Sequence, residues 1–164
     1  MTSTWRIDNV LPVGAGSGYW AEFPGEPSSI QAARRGCSSW VVEATGDADV
    51  ASKAALVVSE LVANAVQAAP GSIFEVSASL TGTDVSVAVR NQGSVAMLPA
   101  RPWVAPAEGA PRGRGLAIVH ALASDVQVMD HGSALTVSVR LAPGTADVGP
   151  STGSHGALRP SAPG

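Results

Sequence analysis

The stretch from Asp47 to Ala69, DADVASKAALVVSELVANAVQAA, constrains the chain most, because it reads as one long and largely apolar helix. Asp47 is a good N-cap, Ala, Leu, Lys, Glu and Gln supply high helix propensity, and Pro70-Gly71 ends the run. Val50, Ala54, Val58, Leu61, Val62 and Ala65 recur at the i, i+3, i+4, i+7 spacing of a single apolar face. A helix this apolar is largely buried. Glu60 and Asn64 interrupt it one turn apart, so their side chains project side by side. At about 100° of rotation per residue they lie a quarter-turn or more from the centre of the apolar face. Taken alone, E-x-x-x-N fits two side chains at the solvent edge. The sharper reading is a carboxylate and an amide held inside the domain, where each needs a partner.

The elements around this helix follow from their own periodicities. Tyr19 to Phe23 reads as an edge strand, Pro24-Gly25-Glu26-Pro27 breaks the chain, and Ser28 or Ser29 can cap a helix from about Ile30 to Glu43. That helix carries Ile30, Ala33, Cys37, Trp40 and Val41 on one face and Arg34 and Arg35 on its outer side. After the central helix, Ile73, Val76, Ala78 and Leu80 form one strand, Thr81-Gly82-Thr83-Asp84 turns, and Val85, Val87 and Val89 alternate with Ser86, Ala88 and Arg90 in the next. The second strand runs straight into Asn91-Gln92-Gly93. From there to Arg112 the sequence is rich in proline and has no usable period. Connections of about twenty residues without structure are uncommon inside compact domains and often serve as lids. Gly113-Arg114-Gly115 then opens an apolar helix, LAIVHALA, and two strands, Asp125 to Met129 and Ala134 to Leu141, close the domain. Upstream, Trp5 to Leu11 fits a short strand followed by a glycine-rich loop. Strands and helices in separate runs, without strict βαβ alternation, predict an α+β two-layer sandwich: a mixed, mostly antiparallel sheet with helices on one face. The expected organisation is a variable N-terminal segment over residues 1–18, one domain over 19–142, and a disordered tail over 143–164 whose composition cannot offset the entropy of ordering it.

Composition narrows the partners. At 164 residues the chain fits one domain with a real core, and 45% hydrophobic against 14% charged residues argues for a folded body. A net charge of −3 supplies no basic field, so nucleic acid is not expected as a partner. One cysteine, Cys37, excludes an internal disulfide and a cysteine-based zinc cluster, and its place in a helix suits a small buried residue. The N-terminus lacks the charged-then-apolar pattern of an export signal, and no run approaches the roughly 18 apolar residues of a membrane span, so the cytoplasm is the expected compartment.

The chemistry has a second pointer in Gly113-Arg114-Gly115. Glycines let the backbone approach a phosphate, a helix N-terminus offers free N–H groups and partial positive charge, and Arg112 and Arg114 can add charge-assisted bonds. The pattern alone is equally a tight loop-to-helix turn. It is neither the dinucleotide fingerprint, since no strand immediately precedes it, nor a P-loop, which needs G-K-[ST]. His120, on an apolar helix, reads as a core residue. His131 and His155 have no ligand partner at metal spacing.

Three features stand in a fixed order: SELVANAV in the buried helix, a strand ending in Asn91-Gln92-Gly93, and GRGLAIVHALAS after the lid. With the approach FPGEPSSIQAARR, this order resembles the ATP-binding fold shared by gyrase, heat-shock chaperones and histidine kinases, and within it the anti-sigma serine/threonine kinases. The resemblance spans about Tyr19 to Leu141. It implies that Glu60 polarises the attacking hydroxyl or water and that the Asn64 amide oxygen binds the Mg²⁺ bridging the phosphates of ATP. It places Asn91 and Gly93 at adenine, and Gly113, Gly115 and the N–H groups that follow, beginning at Leu116, around the phosphates. It implies a sigma factor and an antagonist protein as partners and allows a homodimer. The chain departs from the pattern at three places: Asn91 stands for the usual Asp, Val95 for a glycine, and Ala68 where relatives often carry His. A neutral Asn91 still accepts the adenine amino hydrogen, though less strongly than a carboxylate. The rival from another class is a non-catalytic module that keeps the fold and regulates a transcription factor by contact.

Overall fold

The computed structural model of the protein describes residues 18–94, 98 and 114–144. The expected strand at Trp5 to Leu11, most of the proline-rich connection with Val95 and Trp103, and the tail beyond Gly144 lie outside the described residues. The elements run β1 (Gly18–Phe23), α1 (Pro27–Thr45), α2 (Ala48–Ala68), β2 (Phe74–Thr81), β3 (Asp84–Gln92), α3 (Arg114–Leu122), β4 (Asp125–Asp130) and β5 (Ala134–Leu141).

Local chemistry sets the helix ends. Asp47 accepts from the backbone N–H groups of Asp49 and Val50 at 2.9 and 3.1 Å, so two orphan donors of α2 are met by one carboxylate. Those bonds, led by the one from Val50, hold the Asp47 carboxyl below its ordinary pKa. Its other oxygen accepts from Gly144 N–H at 3.2 Å, tying the chain just past β5 to the start of α2. Helix α1 starts three residues earlier than the Ser caps suggested. Pro27 occupies the first turn, where its missing N–H costs nothing, and Glu26 is the extended residue before it. It ends at Gly46, whose left-handed φ of 68° lets its N–H reach Val42 O at 2.8 Å.

The five strands form one sheet in the order β1-β2-β3-β5-β4, and every described pairing is antiparallel. Strand β4 lies at the edge and the chain returns inward through β5 to pair with β3, with Val89 opposite Val137 and Asn91 opposite Leu135. Strand β3 alternates without a break: Val85, Val87, Val89 and Asn91 are buried, and the residues between them are half-buried. In β2 the inward set is Phe74, Val76 and Ala78, not the expected run from Ile73. Ile73 precedes the strand and is 59% exposed.

Both α1 and α2 pack on one face of this sheet, α2 over β2, β3 and β5 and α1 over β1 and β2. Every apolar residue assigned to the α2 face is buried, and Ala51, Val57 and Val66 widen the stripe. Cys37 is buried in the α1 contribution to the core, and burial pushes its thiol pKa up to about 12, so it behaves as a small apolar residue. Beside it, Gly36 gives way to β1: a Cβ there would overlap the Tyr19 hydroxyl and stand 3.1 Å from the ring carbon that carries it. On α3 the buried residues are Leu116 and Val119. His120, one residue on, turns outward and is exposed, which corrects its reading as a core residue. No described helix is long and apolar enough to cross a membrane.

Candidate functional site

One face of α2, the end of β3 and the first turn of α3 enclose a cavity of about 570 Å³. Pockets of roughly 300–1,000 Å³ suit a ligand of nucleotide size. Helix geometry brings Glu60 and Asn64 to its wall, one turn apart and each half-buried. Strand alternation brings Asn91 there, since it continues the inward set of β3 to the strand's end. Gly93 and Ser94 follow Asn91 into the lining, and Gly93 N–H is anchored on Ser133 O at 3.3 Å. Arg114, Gly115 and Leu116 enter from the start of α3.

The expected site residues Glu60, Asn64, Asn91, Gly93, Arg114, Gly115 and Leu116 therefore line one cavity, although they come from three separate elements. Arg112 and Gly113 lie outside the described residues. Sequence reasoning did not find the apolar floor, made by Leu61, Val89, Leu135 and Val137, nor Ala63, Gln67 and Leu98. Val89 was within reach, because it is the inward residue next below Asn91. Leu135 and Val137 enter through the β3–β5 register, a pairing more than forty residues apart that no local pattern announces.

The cavity has two chemical ends. At the β3 end the Asn91 side chain is 9% exposed, and its Nδ2 donates to Gln92 O at 2.8 Å. With an amide hydrogen committed to the backbone, the carbonyl Oδ1 is left as an acceptor beside an apolar floor, an arrangement suited to the edge and face of a heteroaromatic ring. At the α3 end stand Arg114, the first turn of a helix and the Glu60–Asn64 pair, an arrangement suited to anionic oxygens and a hard cation. A Cβ built on Gly115 would overlap the Glu60 carboxylate, so α3 and Glu60 are in direct contact there.

These residues fit a nucleotide together with Mg²⁺ better than a resident metal. Among the described residues no group of three or more His, Cys, Asp or Glu side chains is placed to hold an ion. Mg²⁺ prefers few protein ligands plus phosphate oxygens and water, and Asn64 Oδ1 supplies an oxygen of that kind.

The model of the histidine kinase-like ATPase domain matches residues 23–140, a span that holds α2, β3, α3 and the whole cavity. The chain belongs to the histidine kinase-like ATPase domain family. As a member, it has the antiparallel sheet with helices on one face and a nucleotide-sized cavity at the place where α2, β3 and α3 meet. No curated protein matches this chain. Among solved structures it is similar to the RsbU and RsbW domains of Rv1364c from Mycobacterium tuberculosis, at 19% identity and a TM-score of 0.58, over 77% of this chain and 32% of that one. The chain thus spans about a third of that protein's resolved length, and the likeness is one of fold. It is also similar to the Acinetobacter baumannii histidine kinase AdeS, at 14% identity and a TM-score of 0.41, over 77% of this chain and 68% of that one.

Proposed function

We propose that this family member is an ATP- and Mg²⁺-dependent protein kinase that phosphorylates Ser or Thr on a small antagonist protein and thereby controls a sigma factor. The observation that carries the reading is the convergence of Glu60, Asn64, Asn91, Arg114 and Gly115 on one cavity of about 570 Å³. The resemblance of SELVANAV and GRGLAIVHALAS to anti-sigma kinases supports the substrate class.

Bound ATP and Mg²⁺ would supply the phosphoryl group and the cation that offsets its charge. The chain's own residues do the rest. Asn91 would accept from the exocyclic amine of the base, and Val89, Leu135 and Val137 would offer its face an apolar floor. Asn64 would hold the cation through Oδ1. Arg114 and the N–H groups at the start of α3 would bind the phosphate oxygens, and the sequence pattern adds Arg112 and Gly113 to that role. Glu60 would take the proton from the acceptor hydroxyl as its oxygen bonds to the γ-phosphorus and the γ-phosphoryl's bond to ADP breaks, releasing ADP; that role requires a carboxylate at the cavity wall.

Transfer of labelled phosphate from ATP to a panel of antagonist domains tests the reading. Wild type should transfer, and Glu60→Gln, which keeps size and most hydrogen bonds, should transfer about 10²–10⁴-fold more slowly with ATP affinity nearly unchanged. Wild-type protein that binds ATP with Mg²⁺ yet transfers nothing across the panel would overturn it in favour of a non-catalytic regulator acting by contact.

A further inference from the structure

We propose that Gly115 is the positioning residue for Glu60: the side chain missing at the start of α3 makes the space in which the Glu60 carboxylate stands. The proposal rests on the reading in which Glu60 is the base. A Cβ built at position 115 would overlap Glu60 Oε2, and would lie 3.2 Å from Glu60 Cδ and 3.5 Å from Glu60 Cβ. All three of its nearest atoms belong to that one side chain, so the vacancy points at Glu60 along its length.

The backbone gives no competing reason for a glycine here. Gly115 is the second residue of α3 and is not among the glycines with positive φ, so any residue could adopt its conformation. Glycine in a helix is otherwise less favourable than alanine. What this position gains for that cost is room for a carboxylate. The two crowded atoms, Oε2 and Cδ, are the far end of a flexible side chain, and Cβ is at ordinary contact distance, so a Cβ at 115 can be accommodated by swinging the Glu60 carboxylate aside. The fold then survives and the carboxylate is displaced from the cavity wall. Misplacement by about 1 Å at a reacting group can cost on the order of 10²-fold in rate.

This role differs from contact with phosphate. If Gly115 served only to let the backbone approach phosphate oxygens, a Cβ there would weaken nucleotide binding whatever stood at position 60. If it acts through Glu60, its effect disappears once Glu60 is truncated.

The experiment is a double-mutant cycle on the full chain, with Gly115→Ala, Glu60→Ala and their combination assayed for ATP affinity and for transfer to an antagonist domain. Gly115→Ala should lower kcat by about 10²-fold with the KM for ATP within about threefold of wild type, and should change nothing further in the Glu60→Ala background. An equal loss in both backgrounds, or no loss in wild type, would overturn the proposal. Should Gly115→Ala alone fail to fold, recovery of folding by Glu60→Ala supports the contact, and failure of the combination to recover refutes it. If wild type transfers no phosphate, the kinase reading fails separately, and the proposal is then read from the side-chain carboxyl ¹³C resonance of Glu60. Its chemical shift at neutral pH should move in Gly115→Ala, and an unmoved resonance would sink the idea.

Discussion

Asn91 shows how one hydrogen bond changes an expectation drawn from residue type. By charge alone Asn91→Asp should tighten ATP binding, since hydrogen bonds to charged groups contribute roughly 1.5–3 kcal/mol against about 1 for neutral ones. The structure adds two opposing effects. Nδ2 donates to Gln92 O at 2.8 Å, and a carboxylate has no hydrogen to offer that carbonyl. The side chain is also 9% exposed, so the new charge would be taken out of water. We expect these effects to cancel the gain: ATP affinity of Asn91→Asp should stay within about threefold of wild type, while the ligand-free protein loses roughly 1 kcal/mol from the lost Gln92 bond. Calorimetric titration and urea unfolding check the two halves, and a tightening beyond tenfold would show that the Gln92 bond does not hold the amide. At this scale the sequence was informative where spacing carried chemistry. Glu60 and Asn64 were legible as an i, i+4 pair, and Asn91 as the residue closing an alternating strand. His120 was misread because an apolar helix segment does not say which residue lies at the edge of a narrow stripe, here Leu116 and Val119.

At the scale of elements, the helices and strands were legible because their patterns are local, and the errors lie at their ends. Pro27 draws α1 forward, and Phe74 rather than Ile73 begins the inward set of β2. Neither shift disturbs α2, whose Asp47 cap and apolar stripe were both readable. Cross-strand neighbours were not readable, and one set of them has a measurable consequence. The pairing of β1, β2 and β3 places Glu75 between Glu22 and Arg90, and Glu75 Oε2 is buried with no hydrogen-bond partner among the described residues. Burial raises the Glu75 pKa above its ordinary 4.5, Arg90 opposes that shift, and Glu22 adds to it. A carboxyl whose pKa is raised by folding binds more protons folded than unfolded, so its contribution to stability falls as pH rises from about 4.5 through the folded value. Glu75→Gln removes that penalty. The variant should therefore be more stable than wild type at pH 7, with the advantage shrinking toward pH 4. Urea unfolding at the two pH values decides it, and an advantage that is equal at both, or absent at pH 7, would rule out a charged, poorly satisfied Glu75.

At the scale of the whole molecule, the layer arrangement followed from the order of elements, whereas the closing of the cavity did not. Helix α2 and strand β3 are separated in the sequence only by β2, but α3 and β5 complete the cavity from the far side of a long connection. That division predicts how ligands act on the fold. The described residues offer no cluster of three or more His, Cys, Asp or Glu side chains for an ion, and the expected protein ligand for Mg²⁺ is the Asn64 carbonyl. One neutral oxygen is too little to hold Mg²⁺ in water, so the phosphates must supply the remaining affinity. Mg²⁺ alone should leave the melting temperature unchanged. ATP with Mg²⁺ at about 100 times its dissociation constant should stabilise the protein by roughly 2.7 kcal/mol, because a ligand that binds only the folded state adds RT ln(1 + [L]/Kd). For a domain of this size that is a rise of about 5–15 °C. In Asn64→Ala, ATP without Mg²⁺ should stabilise as it does in wild type, and the increment from adding Mg²⁺ should disappear. Asn64 is half-buried at the cavity wall, so truncating it should leave the ligand-free melting temperature within a few degrees of wild type. A thermal-shift series with Mg²⁺, ATP and both separates the cases. A full Mg²⁺ increment in Asn64→Ala would remove Asn64 as the cation ligand, while loss of all ATP stabilisation in that variant would place the residue on the nucleotide itself.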